Sequence, residues 1–418
     1  MELDTYSLGV GDRFGMEGTA QLRAIQKAEK EGVRIVPVWN KSNREHTIIG
    51  TVPPDTRKAA DAAVRACGWK GAYHVDADHI GLGTVDRFLE SCDFYTIDVA
   101  DFIGKEPPAG STETFRKAMG RFEGRLRIPG MEREVEVNGA ILEGIARKYL
   151  LAVREAGKVY RYIAGKKGEG NFIPEVSVDE AESPQTPAEL FFILAALAAE
   201  GVRLQTIAPK FTGSFLKGID YVGDIGRFTR EFEDDLAVIA HAVGVFDLPR
   251  NLKLSVHSGS DKFSLYGIMH RAVAARGAGL HLKTAGTTWL EEVIGLAESG
   301  GEGLACARDI YAEAIRRFDE LCKPYAAVVR IDRAQLPDPR AVASWNPQQF
   351  VRALRHDQAC GDYNLHFRQI IHVAFRVAAE MGDRYRGLLE RSRRSIEENV
   401  TMNLYDRHIR PLFLGRTP

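Results

Sequence analysis

Residues 72–81 read AYHVDADHIG, with His74, Asp76, Asp78 and His79 set around the apolar Val75 and Ala77. Side chains of an extended strand alternate between its two faces. One face here would carry a histidine and two carboxylates, which a hydrophobic core does not accept without partners. The pattern recurs. In KLSVHSG, Leu254 and Val256 share a face and leave Ser255 with His257; in LHLKTAG, Leu280 and Leu282 leave His281 with Lys283. In PEVSVDE, Val176 and Val178 leave Glu175, Ser177 and Asp179 together. Histidines and carboxylates converging on one point suit a divalent cation, and such ligands favour Zn, Mn, Ni or Fe over Mg. His257 and His281, both at the ends of apolar runs and near lysines, are the candidate ligands; His74 lies too early in its run. In HSGSDK the small residues after Val256 leave backbone N–H groups free for an anion, and Lys262 adds positive charge. Asp261, and Asp220 in an earlier loop, are equally suited to turns and caps.

These groups need elements to position them. Short apolar runs alternate with helical periodicity along the first 300 residues: YSLGVG, VRIVPVW, AYHVDAD, DFYTIDVADF, FIPEVSVDE, VRLQTIAPKF, LKLSVHSGS and GLHLKTAG each precede a helical stretch. Eight strand–helix units in series predict a closed (β/α)8 barrel of the TIM type, with an open doubly wound sheet as the competing arrangement. Residues 105–170 read as a mostly helical insertion after the fourth strand, and 301–418 as a helical C-terminal extension packed on the barrel. In such a barrel, function sits at the C-terminal ends of the strands. Polar groups stand there around most of the ring: Asp76, Asp78 and His79, then Asp98 and Asp101, Glu175 to Glu180, Lys210, His257 to Lys262, and His281 with Lys283. The loops after strands seven and eight often hold a phosphate or carboxylate, which makes Ser258, Asp261, Lys262 and Lys283 candidate substrate contacts; Lys210, where strand six ends, is a further one. His241, His270, His356, His366, His372 and His408 fall on helical patterns and read as structural or surface groups.

Composition narrows the partners. The chain has 418 residues, 44% hydrophobic and 27% charged, with formal net charge −1. That balance gives no reason to expect nucleic acid or an anionic membrane as partner. No apolar run approaches the roughly 20 residues of a membrane helix. The start MELDTYSLGV lacks a basic and apolar leader, so a cytoplasmic protein is expected. Five scattered cysteines without CxxC spacing fit reduced thiols. GVGDRFG places glycines at 9, 11 and 15, which is not the dinucleotide-loop spacing, and no nicotinamide site is expected.

The blocks DADHIG, YTIDVADF, EVSVDEAESPQTP, KGIDYVGD, LSVHSGSDKFSLY, HLKTAGTTWLEE and RQIIHV run in order over nearly the whole chain. In that order they resemble the tagaturonate epimerase family, metal-dependent enzymes that interconvert tagaturonate and fructuronate in hexuronate catabolism. The family implies a longer N-terminal extension than the few residues before the first strand here. Carried over by position, the resemblance implies Asp78 as proton acceptor, Glu175 as proton donor, and His79 and His257 as metal ligands. His281 joins them from strand parity, and Asp179 or Glu180 is the alternative acid. The expected ligand is a small keto-uronate; assembly into a homo-oligomer is left open by the sequence.

The two ketoses differ at a hydroxyl carbon β to the ketone, so that carbonyl does not acidify the C–H to be inverted. Retro-aldol cleavage, rotation of the aldehyde and re-addition is the economical route; carbonyl migration followed by proton abstraction is its rival. A metal-dependent aldolase or ketose isomerase would use nearly the same residues, and would be told apart by release of three-carbon fragments or an aldose. A non-catalytic barrel subunit supporting an aldolase would not need so many desolvated acids and histidines.

Overall fold

The computed structural model describes residues 1–416. Eight parallel strands close a barrel: Tyr6–Gly11, Val36–Ser42, His74–Ile80, Phe94–Asp98, Ile173–Ser177, Thr206–Ala208, Lys253–Val256 and Leu280–Lys283, each beside the next and the eighth beside the first. The expected (β/α)8 architecture is therefore present. No helix among the described residues is long and apolar enough to cross a membrane.

The alternation read from sequence sorts the strand faces. Leu8, Val10, Val176, Ile207, Leu254, Val256, Leu280 and Leu282 turn outward and are buried in the main apolar core beneath the helices. Inside the barrel the character changes with height. At the base, Leu3, Val36, Val38, Phe94 and Ile173 form a separate apolar plug. The N-terminal segment is tied there by Gln205 Oε1, which accepts from Leu3 N at 2.8 Å, and by Lys253 Nζ, which donates to Leu3 O at 3.0 Å. Above the plug the interior positions are polar, and the upper ones are charged.

Two connections depart from the expectation. The return from the third strand is a single 3-10 turn at Val85–Arg87 rather than a helix. Within 105–170, Ser111–Met119 is helical, but residues 124–126 and 135–137 form a small antiparallel ribbon. The helix Gly139–Lys167 that follows packs on the fourth strand and on the helix Pro187–Ala199, so it also serves as the barrel helix of its own unit.

From Gly301 onward the chain is helical and folds back over the barrel. It is tied there by Arg368, wholly buried, which donates to Asp261 at 3.1 and 3.2 Å and to Gly218 O at 2.5 Å, and within the extension to Leu354 O at 2.9 Å. His408 Nε2 accepts from Asp261 N at 3.1 Å on the same loop. The extension thereby fixes the loops that follow the sixth and seventh strands.

The seam between the first and eighth strands is closed by glycine. A Cβ on Gly11 would stand 2.4 Å from Ala285 O and 2.7 Å from its Cα, both backbone atoms that cannot swing away. Gly11→Ala should therefore push the two strand ends apart and cost about 1–3 kcal/mol, the usual range for overpacking. The check is the denaturation midpoint of the variant against the parent chain.

Candidate functional site

The site lies at the upper end of the barrel, where polar interior positions of the third to eighth strands meet. The third strand delivers two neighbours at once, which simple alternation forbids. The register slips between Ala77 and Ile80, and His79 takes φ +54°, so Asp78 and His79 both reach the mouth. This is the work of a bulge: one extra residue re-aims a side chain. The fifth strand contributes Glu175 and, just beyond its end, Asp179; the seventh leads into His257; the eighth ends at Lys283.

Lys283 is the hub. Its ammonium lies 2.8 Å from Asp76 Oδ2, 2.8 Å from Asp78 Oδ1 and 3.3 Å from Glu175 Oε1, and it donates to Thr96 Oγ1 at 2.6 Å. Gly9 opposite leaves room for its stem, since a Cβ there would meet Lys283 Cα at 3.1 Å. Burial would raise the Asp78 carboxyl, but Lys283 and His79 outweigh it and hold that carboxyl well below the usual range. Glu175 behaves alike: burial opposes ionisation, and Lys283 with His257 prevails. Asp76 goes the other way, to about 6, because burial and the two neighbouring acids exceed what Lys283 returns.

Asp78 and Glu175 each hold an imidazole. Asp78 Oδ1 lies 2.8 Å from His79 Nδ1, and Glu175 Oε1 lies 2.7 Å from His257 Nε2. The opposite ring nitrogens turn toward Asp179, with His257 Nδ1 at 3.3 Å from Oδ2 and His79 Nε2 at 4.0 Å from Oδ1. One ligand atom from each of His79, Asp179 and His257 falls within 4.8 Å of the others. His257 Nδ1 is buried and makes no hydrogen bond. Two imidazole nitrogens and a carboxylate, with the far nitrogens anchored to carboxylates, form a donor set that fits a zinc-like or first-row divalent ion. His79 and Asp179 retain 26% and 20% of their side-chain exposure, so the set opens to the mouth.

The structure does not bring His281 to this group. Its register partner is Ser255, two residues before His257, so it sits one layer deeper. There Nδ1 pairs with Ser7 Oγ at 2.8 Å, the ring packs 5.3 Å from Phe94, and burial pushes its pKa down to about 3. Asp179 stands where His281 was expected. His74, too, is low in the barrel, 3.3 Å from Asp93.

The expected substrate contacts divide. Lys262 is buried with its ammonium on three carbonyls, Leu216 O at 2.9 Å, Ile219 O at 2.7 Å and Ser260 O at 2.9 Å, so it braces a loop. Asp261 is spent on Arg368, and Asp220 accepts from Ser264 N and Oγ at the start of the helix Phe263–Arg276. Lys210 donates to Ala181 O, tying two loops together. Lys283 is neutralised by the acids around it. Ser258 faces the mouth and receives a 2.9 Å hydrogen bond from Lys217 Nζ. Lys217 is the residue that sequence reasoning missed, although it opens the block KGIDYVGD. Thr96 and Thr206, which donate to Glu175 at 3.0 and 2.7 Å, were missed as well; both occupy inward strand positions.

A model of the tagaturonate epimerase family matches residues 1–392. A tagaturonate/fructuronate epimerase of Thermotoga maritima is 28% identical over 422 residues, covering 96% of this chain and 80% of the relative. Among solved structures, a glycerol complex of the fructuronate-tagaturonate epimerase of Cohnella laeviribosi superposes with a TM-score of 0.80 at 23% identity, over 98% of this chain and 81% of that one. The native form of that enzyme gives 0.76 at 24% identity, over 98% and 81%. At such identities the two structures speak to the fold.

Removing the hub tests its role. Lys283→Met leaves buried carboxylates without their cation, a loss of about 3–5 kcal/mol near neutral pH. The depressed pKa values of Asp78 and Glu175 mean that the wild-type contribution is full above the ordinary value of about 4 and is lost only below it. In the variant, desolvation raises the same groups, so they take up protons earlier. The stability gap between the two proteins should be largest near pH 7 and shrink toward pH 4 in urea unfolding.

Proposed function

The chain belongs to the tagaturonate epimerase family, so it is an isomerase, and from that premise we propose that it interconverts D-tagaturonate and D-fructuronate in hexuronate catabolism. The observation that carries this reading is the paired arrangement Asp78–His79 and Glu175–His257, whose free nitrogens turn to Asp179. His79, His257 and Asp179 would hold a divalent cation. When bound, it would supply Lewis-acid stabilisation of a developing oxyanion.

The chain's own groups fit a retro-aldol inversion. Asp78, at the mouth end of its strand, takes the proton of the hydroxyl β to the ketone as the carbon–carbon bond next to it opens. The aldehyde turns, the bond re-forms on its other face, and the new alkoxide takes a proton back. Glu175 is the donor implied by family position. Its oxygens are bonded to His257, Thr96 and Thr206, and Lys283 Nζ lies between it and Asp78, 2.8 Å from one and 3.3 Å from the other. The ammonium therefore bridges the two carboxylates, and an ionised Glu175 becomes the donor once the proton taken by Asp78 is passed to it through Lys283. Glu180 is the second candidate donor: it is at the rim, its carboxyl raised by burial, with Asp179 adding to the shift. A cytoplasmic location accords with this substrate class.

Chelation should abolish turnover, and one divalent cation should restore it. His257→Ala should bring bound metal below one per chain with the helical circular dichroism intact, while His281→Asn should keep its metal. Full activity in the chelated protein would remove the cation from the reading.

Asp78→Asn preserves shape and loses the proton acceptor, so turnover should fall by about 10²–10⁴, the usual share of general acid–base catalysis. Run in deuterated water, the wild-type reaction should leave no deuterium on the inverted carbon, because its hydrogen never departs in a cleavage route. Stoichiometric label there would replace that route by direct C–H abstraction.

A further inference from the structure

A keto-uronate brings a carboxylate that must be met in a partly desolvated mouth. The cations around the site are almost all committed. Lys283 is ringed by acids, Lys262 and Lys210 are bonded to backbone carbonyls, and Arg13 is paired with Glu45 at 3.3 Å and donates to His372 O. Lys217 differs. Its ammonium makes one hydrogen bond, to Ser258 Oγ at 2.9 Å, which leaves two of its three donors unused. Among the described residues no carboxylate lies within ion-pairing distance of it. Asp179, Glu45 and Asp78 act on it only through space, and burial outweighs them to lower its pKa.

The backbone carrying Lys217 is fixed on both sides. Lys217 N donates to Val328 O at 2.8 Å, and Gln369 Nε2 donates to Lys217 O at 3.3 Å. Lys262 takes the flanking carbonyls of Leu216 and Ile219, and Arg368 takes that of Gly218. Gly218 itself sits at φ +74°, the left-handed turn that points its own carbonyl to Arg368 while those of Leu216 and Ile219 meet on Lys262. An unpaired cation held this rigidly at the edge of the site has its ordering cost already met before a ligand arrives.

We infer that Lys217 receives the substrate carboxylate, with Ser258 as its second contact, and thereby sets the preference for keto-uronates over neutral ketoses. The inference rests on the epimerase reading above. Lys262 and Arg368 enter it as positioning residues for the loop.

The test uses the full-length, metal-loaded wild-type chain, Lys217→Met and Lys217→Arg, each with kcat/KM for D-tagaturonate and D-tagatose and a calorimetric Kd for D-tagaturonate. Lys217→Met should lower the tagaturonate-to-tagatose ratio of kcat/KM by roughly tenfold to a hundredfold, the worth of one charge-assisted hydrogen bond. Its Kd for tagaturonate should weaken by a similar factor, and Lys217→Arg should recover part of both. An unchanged ratio, or an equal loss on both sugars, overturns the assignment. Wild-type protein that binds tagaturonate without inverting it would end the epimerase reading alone, and the two Kd values would still decide the role of Lys217.

Discussion

One ammonium organises the upper half of this barrel. Lys283 enters a ring of strands that would otherwise force three buried carboxylates together, and their mutual repulsion makes its position compulsory. Once it is there, Asp78 and Glu175 remain ionised and can each hold an imidazole by one nitrogen. That bond selects which nitrogen of His79 and of His257 is left to face Asp179. The orientation of the reactive edge is thus set two bonds away from it. Gly9 is the concession in the neighbouring first strand that makes space for the lysine stem.

Much of this was legible in the sequence, and the illegible part has a common cause. Strand–helix alternation over the first 300 residues is a local signal, and it gave the barrel. Strand parity is also local, and it put Glu175, His257, His281 and Lys283 inside the barrel. Parity says nothing about height along the axis, however. His281 and His257 share a direction and lie in different layers, because register between neighbours decides level. His79 was legible only through family position, since its left-handed backbone breaks the rule by which faces are read.

The lysines show the same limit. Lys262 and Asp261 look like an anion site when HSGSDK is read by itself. Their partners come from elsewhere: Arg368 from the C-terminal helices, and the carbonyls of Leu216 and Ile219 from the loop after the sixth strand. Nothing within a window of a few residues signals that a charge is already answered. Lys217 escaped notice for the converse reason. Its setting is made by backbone carbonyls and a distant serine rather than by a neighbouring motif.

The link between Asp261 and Arg368 also bears on how the chain is made. These two residues are 107 positions apart, and the barrel strands are complete well before the arginine is synthesised. At ordinary elongation rates of about 5–20 residues per second, the aspartate waits for roughly 5–20 s. During that interval its loop cannot be sealed, because an unanswered charge will not leave water. The last quarter of the chain thus supplies the partner that seals this loop at the barrel mouth, and it is made after all eight strands.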